Sequence, residues 1–198
     1  MTLDAAALAH LDSRRSVPAL QLAEPGPDHA ALLRILQSAV RVPDHGKREP
    51  WRFLRIAGDA RIALGEALAR RTMEREPNAS DAVLAKDRQR FTRAPVVVVV
   101  IAKLGQDEKI PESERFSSAS CVCFAMLQAA QACGFGAQWL TGWPAYDEPV
   151  LRMLGVAAHE RIAGFIHLGT PMQQVPERER PDPAALLADW NIADWKRA

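Results

Sequence analysis

Cysteine is scarce in this chain: three in 198 residues, at positions 121, 123 and 133. That is too few and too uneven for the disulfide framework of a small secreted domain, so reduced thiols and a cytoplasmic location are expected. An excess of one charge is also missing, because 25 Lys and Arg face 24 Asp and Glu for a net of +1. Phosphate-backbone binding normally needs a clear cationic surplus, so nucleic acid is not expected as a partner. The longest wholly apolar run, 94–102, falls far short of the roughly 20 residues of a membrane helix. No early stretch joins a basic region to an apolar run, so neither a membrane span nor a secretory leader is expected. Aromatics make up only 6% of the chain, yet apolar residues reach 48%. The length suits one domain, 1–198, able to bury a sizeable core.

Local patterning predicts an α+β layer design. Residues 3–13 are rich in Ala and Leu and read as a short helix. Pro18, Pro25 and Pro27 make 17–28 an extended loop. Asp28 then caps a helix carrying Leu32, Ile35, Leu36, Ala39 and Val40 at three- and four-residue steps. Pro43 stops it and opens a polar loop over 44–50. A strand over 51–57 and helices over 59–76 and 81–91 come next. Residues 96–101, five valines and an isoleucine, have no solvated face and predict a strand buried on both sides. The stretch 117–133 is helical and nearly apolar all round, which predicts burial between layers or against another chain. Gly134 caps it. Strands over 136–141 and 162–168 flank a short helix over 147–154, giving four strands in all. From Pro171 the chain is rich in proline and charge, then carries Leu186, Leu187, Trp190, Ile192 and Trp195. This arm, 172–198, either folds back on its own domain or lies across a partner.

Few residues suggest chemistry on their own. Cys121 and Cys123 are rotated by about 200° on a helix, so their sulfurs diverge, and buried cysteine commonly acts as a small hydrophobe. The five histidines lack zinc-site spacing, and His167 within an apolar strand reads as a hydrogen-bonded core residue. No metal site is expected. Gly134-x-Gly136 follows a helix rather than opening one, the wrong order for a dinucleotide or P-loop fingerprint. Arg14-Arg15-Ser16 supplies a fork of donors suited to a phosphate ester, although arginines at a helix end also complement its dipole. Residues 34–55 hold six basic residues against Asp44 and Glu49, a local net of +4. Within them the loop from Arg41 through His45 to Trp51 reads either as a site or as a solvated connection.

Arg14-Arg15-Ser16, then Arg41-x-Pro43-Asp44-His45 and Pro50-Trp51, Ala94-Pro95 before the valine strand, Gly134-Phe135-Gly136 before Trp139, and Gly164-Phe165 through Leu168-Gly169-Thr170-Pro171 occur in that order. The combination resembles the nitroreductase family, in particular its small YdjA-like NAD(P)H nitroreductase group, over roughly residues 8–172. The resemblance implies a nitroreductase-like fold: a helix-flanked, mainly antiparallel sheet in an intertwined homodimer with FMN at the subunit interface. Arg14, Arg15 and Ser16 would grip the FMN phosphate and ribityl chain. Arg41 and His45 would reach the cofactor from the other subunit, and Trp139, Leu140 and Thr141 would line the flavin. Residues 129–134 resemble the stretch to which nicotinamide contact is ascribed. The implied activity is ping-pong hydride transfer from NAD(P)H, through flavin N5, to a nitroaromatic, quinone or similar small-molecule acceptor. No catalytic side chain is then required, although a cation near flavin N1, such as Lys47 or His45, would stabilise the reduced state. Two departures stand out: Gln21 is neutral where the family has a basic residue, and Leu140 stands where close relatives carry arginine. They motivate an alternative, a catalytically weak FMN-binding homodimer with a storage or regulatory role. A flavin enzyme for dehydrogenation or dehalogenation is a third reading, and 70–90 would then form either a substrate lid or a plain solvated helix pair.

Overall fold

The computed structural model describes residues 4–190. The predicted Ile192 and Trp195 of the arm lie outside the described residues. Among the described residues, seven α-helices and five strands occur in the order α1 (Ala5–Asp12), β1 (Leu22–Ala23), α2 (His29–Ala39), β2 (Trp51–Ala57), α3 (Asp59–Arg75), α4 (Asp81–Gln89), β3 (Val96–Lys103), α5 (Glu112–Ala132), β4 (Gly136–Leu140), α6 (Glu148–Met153), β5 (Glu160–Pro171) and α7 (Pro183–Leu186). All strand pairings are antiparallel, and β5 is the hub that pairs with β3, β4 and β1. The outer strand β2 runs along β3. The α+β class with helices around an antiparallel sheet is therefore what the structure contains.

Helix ends follow the capping residues. The carboxylate of Asp28 accepts the Ala31 N–H at 2.8 Å, and that of Asp147 accepts the Val150 N–H at 3.3 Å. Gly134, with φ of +82°, takes the left-handed position that ends α5. The valine strand is buried on both faces as predicted. Val96, Val98 and Val100 face α2 and α5, together with Ile35, Met126 and Ile166. Val97, Val99 and Ile101 face the other layer, against Leu68, Phe91 and Phe165. Each such side chain contributes roughly 1.5–3 kcal/mol of apolar burial.

Two local expectations are corrected. The proline-rich stretch 17–28 is not wholly loop, since Leu22 and Ala23 pair with Pro171 and Thr170, making five strands rather than four. Helix α5 begins at Glu112, five residues before position 117, and its first turn includes the buried Arg115, which donates to the Gly105 carbonyl at 2.6 Å. Ser117, Cys121 and Phe124 of that helix lie on an exposed face of the single chain, so layers within the chain alone do not bury it.

The β3–β5 ladder contains one irregularity. Between the pairs Val100–Gly164 and Ile101–Ile162, Ala163 is an extra residue, a β-bulge. Ala163 belongs to the α5 side of the core, whereas Ile162 belongs to the other.

Candidate functional site

Arg14, Arg15 and Ser16 emerge from the C-terminal end of α1. One Arg14 guanidinium nitrogen donates to the Ser16 hydroxyl at 3.2 Å. Arg15 donates to the carbonyls of Asp12 and Arg14, at 2.9 and 3.1 Å, so it does complement the helix end. It also pairs with Glu177 of the tail, whose carboxylate accepts from Arg180 at 3.1 Å. Partial burial lowers the pKa of Arg14, and the like charges of Arg180, Arg15 and Arg178 lower it further. Arg15 and Arg180 thus share the Glu177 carboxylate, and Arg14 feels their charge and that of Arg178, a donor set suited to a phosphate ester. Beside them runs a groove of about 670 Å³ lined by Ser13, Arg15, Gln131, Phe135, Gly136 and residues 173–177. Gln131 donates to the Ser13 hydroxyl at 2.8 Å, tying the C-terminal half of α5 to α1. Sequence reasoning misses Arg178 and Arg180. Their only signal is the alternating Glu-Arg-Glu-Arg at 177–180, inside the proline-rich arm.

Trp139, Leu140 and Thr141 close β4 and point to two different surfaces. The Trp139 indole N–H donates to the Ala163 carbonyl at 3.1 Å. Its ring sits directly on Gly164, where an added Cβ would stand 2.1 Å from the indole nitrogen. The bulge at Ala163 and the missing side chain at Gly164 together make the slot for the ring. Trp139 and Thr141 line a groove of about 580 Å³ with Phe116, Ser120, Tyr146 and Arg161. Leu140 instead lines a cavity of about 250 Å³ on the α4 side of β4.

The loop after α2 is built around Asp44. Its carboxylate accepts the backbone N–H groups of Arg48 and Glu49 at 3.0 and 2.9 Å. This holds Lys47 and Glu49 at φ of 50° and 46°, conformations that non-glycine residues rarely adopt and that cluster at binding sites. His45 Nδ1 lies 2.7 Å from a Glu114 oxygen, in a groove with Ser117 and Cys121. Arg41 is exposed. Part of the local +4 is compensated from elsewhere in the chain. Arg48 pairs with Asp107 at 2.6 Å, holding that carboxyl well below the usual range together with backbone donors. Arg52 grips Glu160 through two bonds of 2.7 and 2.6 Å. Arg41, Lys47 and Arg55 have no ion-pair partner among the described residues.

Within one chain, then, Arg14, Arg15 and Ser16 come together with the tail arginines, and β4 runs beside them. His45 opens onto a separate groove on the exposed face of α5. His167 is buried as expected, but its Nδ1 has no partner. It stacks on Phe91 at 6.0 Å, and burial pushes its pKa down to about 4. Cys123 is buried while Cys121 is exposed, the divergence that their spacing predicts. No helix among the described residues is long and apolar enough to cross a membrane.

Comparison with known proteins bears on the family and the fold. The family model of the nitroreductase family matches residues 11–170. The Escherichia coli K12 protein YdjA, provisionally named an NAD(P)H nitroreductase, is 36% identical over 183 residues, covering 91% of this chain and 97% of its own. A nitroreductase-like family protein from Bacillus cereus superposes with a TM-score of 0.81 at 22% identity, over 96% of this chain and 98% of its own. A provisionally named nitroreductase from Desulfovibrio desulfuricans, solved in complex with FMN, has a TM-score of 0.72 at 23% identity, over 96% and 99% of the two chains.

Proposed function

The chain belongs to the nitroreductase family, and from that premise we propose that it is an FMN-dependent oxidoreductase drawing on NAD(P)H. The observation that carries this reading is the crowding of Arg14 by Arg15, Arg178 and Arg180, with Glu177 shared by two of them, beside a groove that reaches the start of β4 at Gly136 and Ala137. Like charges repel, and a dianionic phosphate monoester relieves that repulsion with charge-assisted hydrogen bonds. When bound, FMN supplies the redox chemistry, taking hydride from NAD(P)H and giving it to an oxidised acceptor such as a nitroaromatic or quinone.

The residues of this chain supply the rest. Arg14, Arg15 and Ser16, joined by Arg178 and Arg180, hold the phosphate end. The backbone at the end of β4, residues Trp139, Leu140 and Thr141, positions the ring system, since their side chains face two different surfaces. The protein works as a homodimer of one-domain chains, each with residues 172–198 as an arm, in the cytoplasm. Arg41 and His45 act toward the cofactor of the partner subunit. The exposed Phe124 on α5, 48% accessible in one chain, is the kind of apolar surface that a second copy covers.

The test begins with colour. Purified protein is expected to be yellow, or to quench FMN fluorescence on titration, and to consume NADH or NADPH when given an acceptor. Arg14→Ala and Ser16→Ala should each weaken FMN binding by roughly 10–100-fold, the range of a lost charge-assisted hydrogen bond. Colourless protein that ignores added FMN would refute the proposal. The neutral Gln21 and Leu140 motivate the second reading, an FMN-binding homodimer without substantial catalysis; tight FMN with no acceptor turnover would favour it.

A further inference from the structure

The tail brings an anion as well as cations to the arginine cluster, and the two oxygens of that anion are divided between two segments. Glu177 Oε2 pairs with Arg15, just past the end of α1. Glu177 Oε1 accepts from the Arg178 N–H at 3.0 Å and from Arg180 at 3.0 and 3.1 Å. One carboxylate thus ties the N-terminal cluster to the tail. Arg15 and Arg180 are also donors that a phosphate monoester needs, because it too accepts charge-assisted hydrogen bonds through several oxygens. Among the charges acting on Arg14, that of Glu177 raises its pKa, whereas those of Arg180, Arg15 and Arg178 lower it. Glu177 therefore already relieves part of the repulsion that a phosphate would relieve.

The tail reaches this position along a pinned path. The Met172 N–H donates to the Gln21 carbonyl at 2.9 Å, and Val175 packs against Val17, Leu22 and Ala94. Two residues later the Glu177 side chain is 47% exposed, and every described residue from 176 to 190 is exposed. The tether keeps the carboxylate near Arg15 at a high effective concentration. Releasing it uncovers no core. Arg15 and Glu177 both line the groove of about 670 Å³, so their pair belongs to the groove itself. An ion pair this open to water is weak, and exposed pairs shift an equilibrium by about fivefold at most. A phosphate monoester carries nearly twice the charge of a carboxylate and three acceptor oxygens, so it can take Arg15 and Arg180 from Glu177. A ligand without that charge cannot.

We infer that Glu177 is a built-in competitor for the phosphate of the cofactor, holding Arg15 and Arg180 until a dianion takes them. The inference rests on the reading of the chain as an FMN protein. It gives Glu177 an effect opposite to that of Arg14 and Ser16: its presence loosens the cofactor. Binding exchanges one anion for another, so the net gain is smaller than the arginines alone would supply. The exchange also couples cofactor uptake to the tail, because the carboxylate that gives way is joined to the exposed residues 178–190. A purely organising role for Glu177 has the reverse consequence. If it served only to hold the arginines in place, losing its charge would scatter them and weaken FMN.

Glu177→Gln separates the two, because it keeps the size of the side chain and one acceptor oxygen but removes the charge. FMN titrated into the cofactor-free full chain, followed by flavin fluorescence, should bind the variant about threefold to fivefold more tightly than the parent. Riboflavin is the control, since it has the same ring and ribityl chain without the phosphate. It makes no claim on Arg15, so its affinity should stay within about twofold of the parent value. Glu177→Ala, which removes the acceptor as well, carries the same expectation and decides the matter if the Gln variant does not fold. FMN affinity that is weaker, unchanged within about twofold, or raised equally with that of riboflavin would overturn the inference and leave the FMN reading intact. Failure of the unmodified protein to bind FMN would overturn both.

Discussion

Replacing Gly164 by alanine tests how the bulge in β5 builds the Trp139 slot. The new Cβ would stand 2.1 Å from the indole nitrogen, 2.4 Å from Cδ1 and 3.1 Å from Cε2. Ordinary carbon contacts are about 3.5–4.0 Å, so the ring must move by more than about 1 Å. That movement breaks the 3.1 Å hydrogen bond to the Ala163 carbonyl, worth about 0.5–1.5 kcal/mol net. Overpacking adds about 1–3 kcal/mol. A total near 2–4 kcal/mol lowers the melting temperature by roughly 4–16 °C in a chain of this size. Thermal unfolding followed by circular dichroism measures it. Trp139→Leu on its own removes the obstacle, so the double variant should lose clearly less than the two single losses combined. Additivity within about 0.5 kcal/mol would show that the two positions do not share a slot, and the reasoning would fall.

Two further outcomes concern buried groups. The Arg52 guanidinium, together with the Ala157 N–H, holds the Glu160 carboxyl down to about 2, against an ordinary value of 4.5. Because its folded pKa is depressed, its stabilisation is fully present above about pH 4.5 and fades as pH falls toward 2. Glu160→Gln should therefore cost about 2–3 kcal/mol in urea unfolding at neutral pH and much less near pH 3; an equal loss at both would refute the assignment. Burial pushes the Cys123 thiol up to about 12, whereas Cys133 is exposed. A disulfide reagent should label Cys133 in the folded protein and Cys123 only after denaturation, and rapid labelling of Cys123 would contradict its burial.

Much of the architecture is legible in the sequence because its signals are local. Asp28 and Asp147 cap the helices they precede, Gly134 ends α5, and the valines of β3 have nowhere to go but between two layers. What stays hidden depends on distant partners. The strand at Leu22–Ala23 exists only because Thr170 and Pro171 lie alongside it. The acidic first turn of α5, Glu112 and Glu114, reads as loop by polarity, although negative charge suits a helix N-terminus. At the candidate site, Arg14, Arg15 and Ser16 are identifiable from their cluster, but Arg178 and Arg180 join it from the far end of the chain. The surplus charge at 34–55 is legible as a number only. Its location depends on Arg48 and Arg52 being paired with Asp107 and Glu160.

The extra residue at Ala163 also acts as a phase shifter in β5. Side chains alternate across a strand with period two, so one inserted residue exchanges inside for outside for everything before it. Downstream, Phe165 and His167 face the layer of α3 and Phe91; upstream, Ile162 faces that same layer although it lies an odd number of positions from Phe165. Removing Ala163 would make the ladder regular and would leave Glu160 opposite Lys103 as before, while taking the indole of Trp139 from its acceptor. A single unpaired residue therefore supplies the ring slot with its acceptor while the ion pair at the start of β5 keeps its face. The strand is irregular at the one place where the indole takes its hydrogen bond.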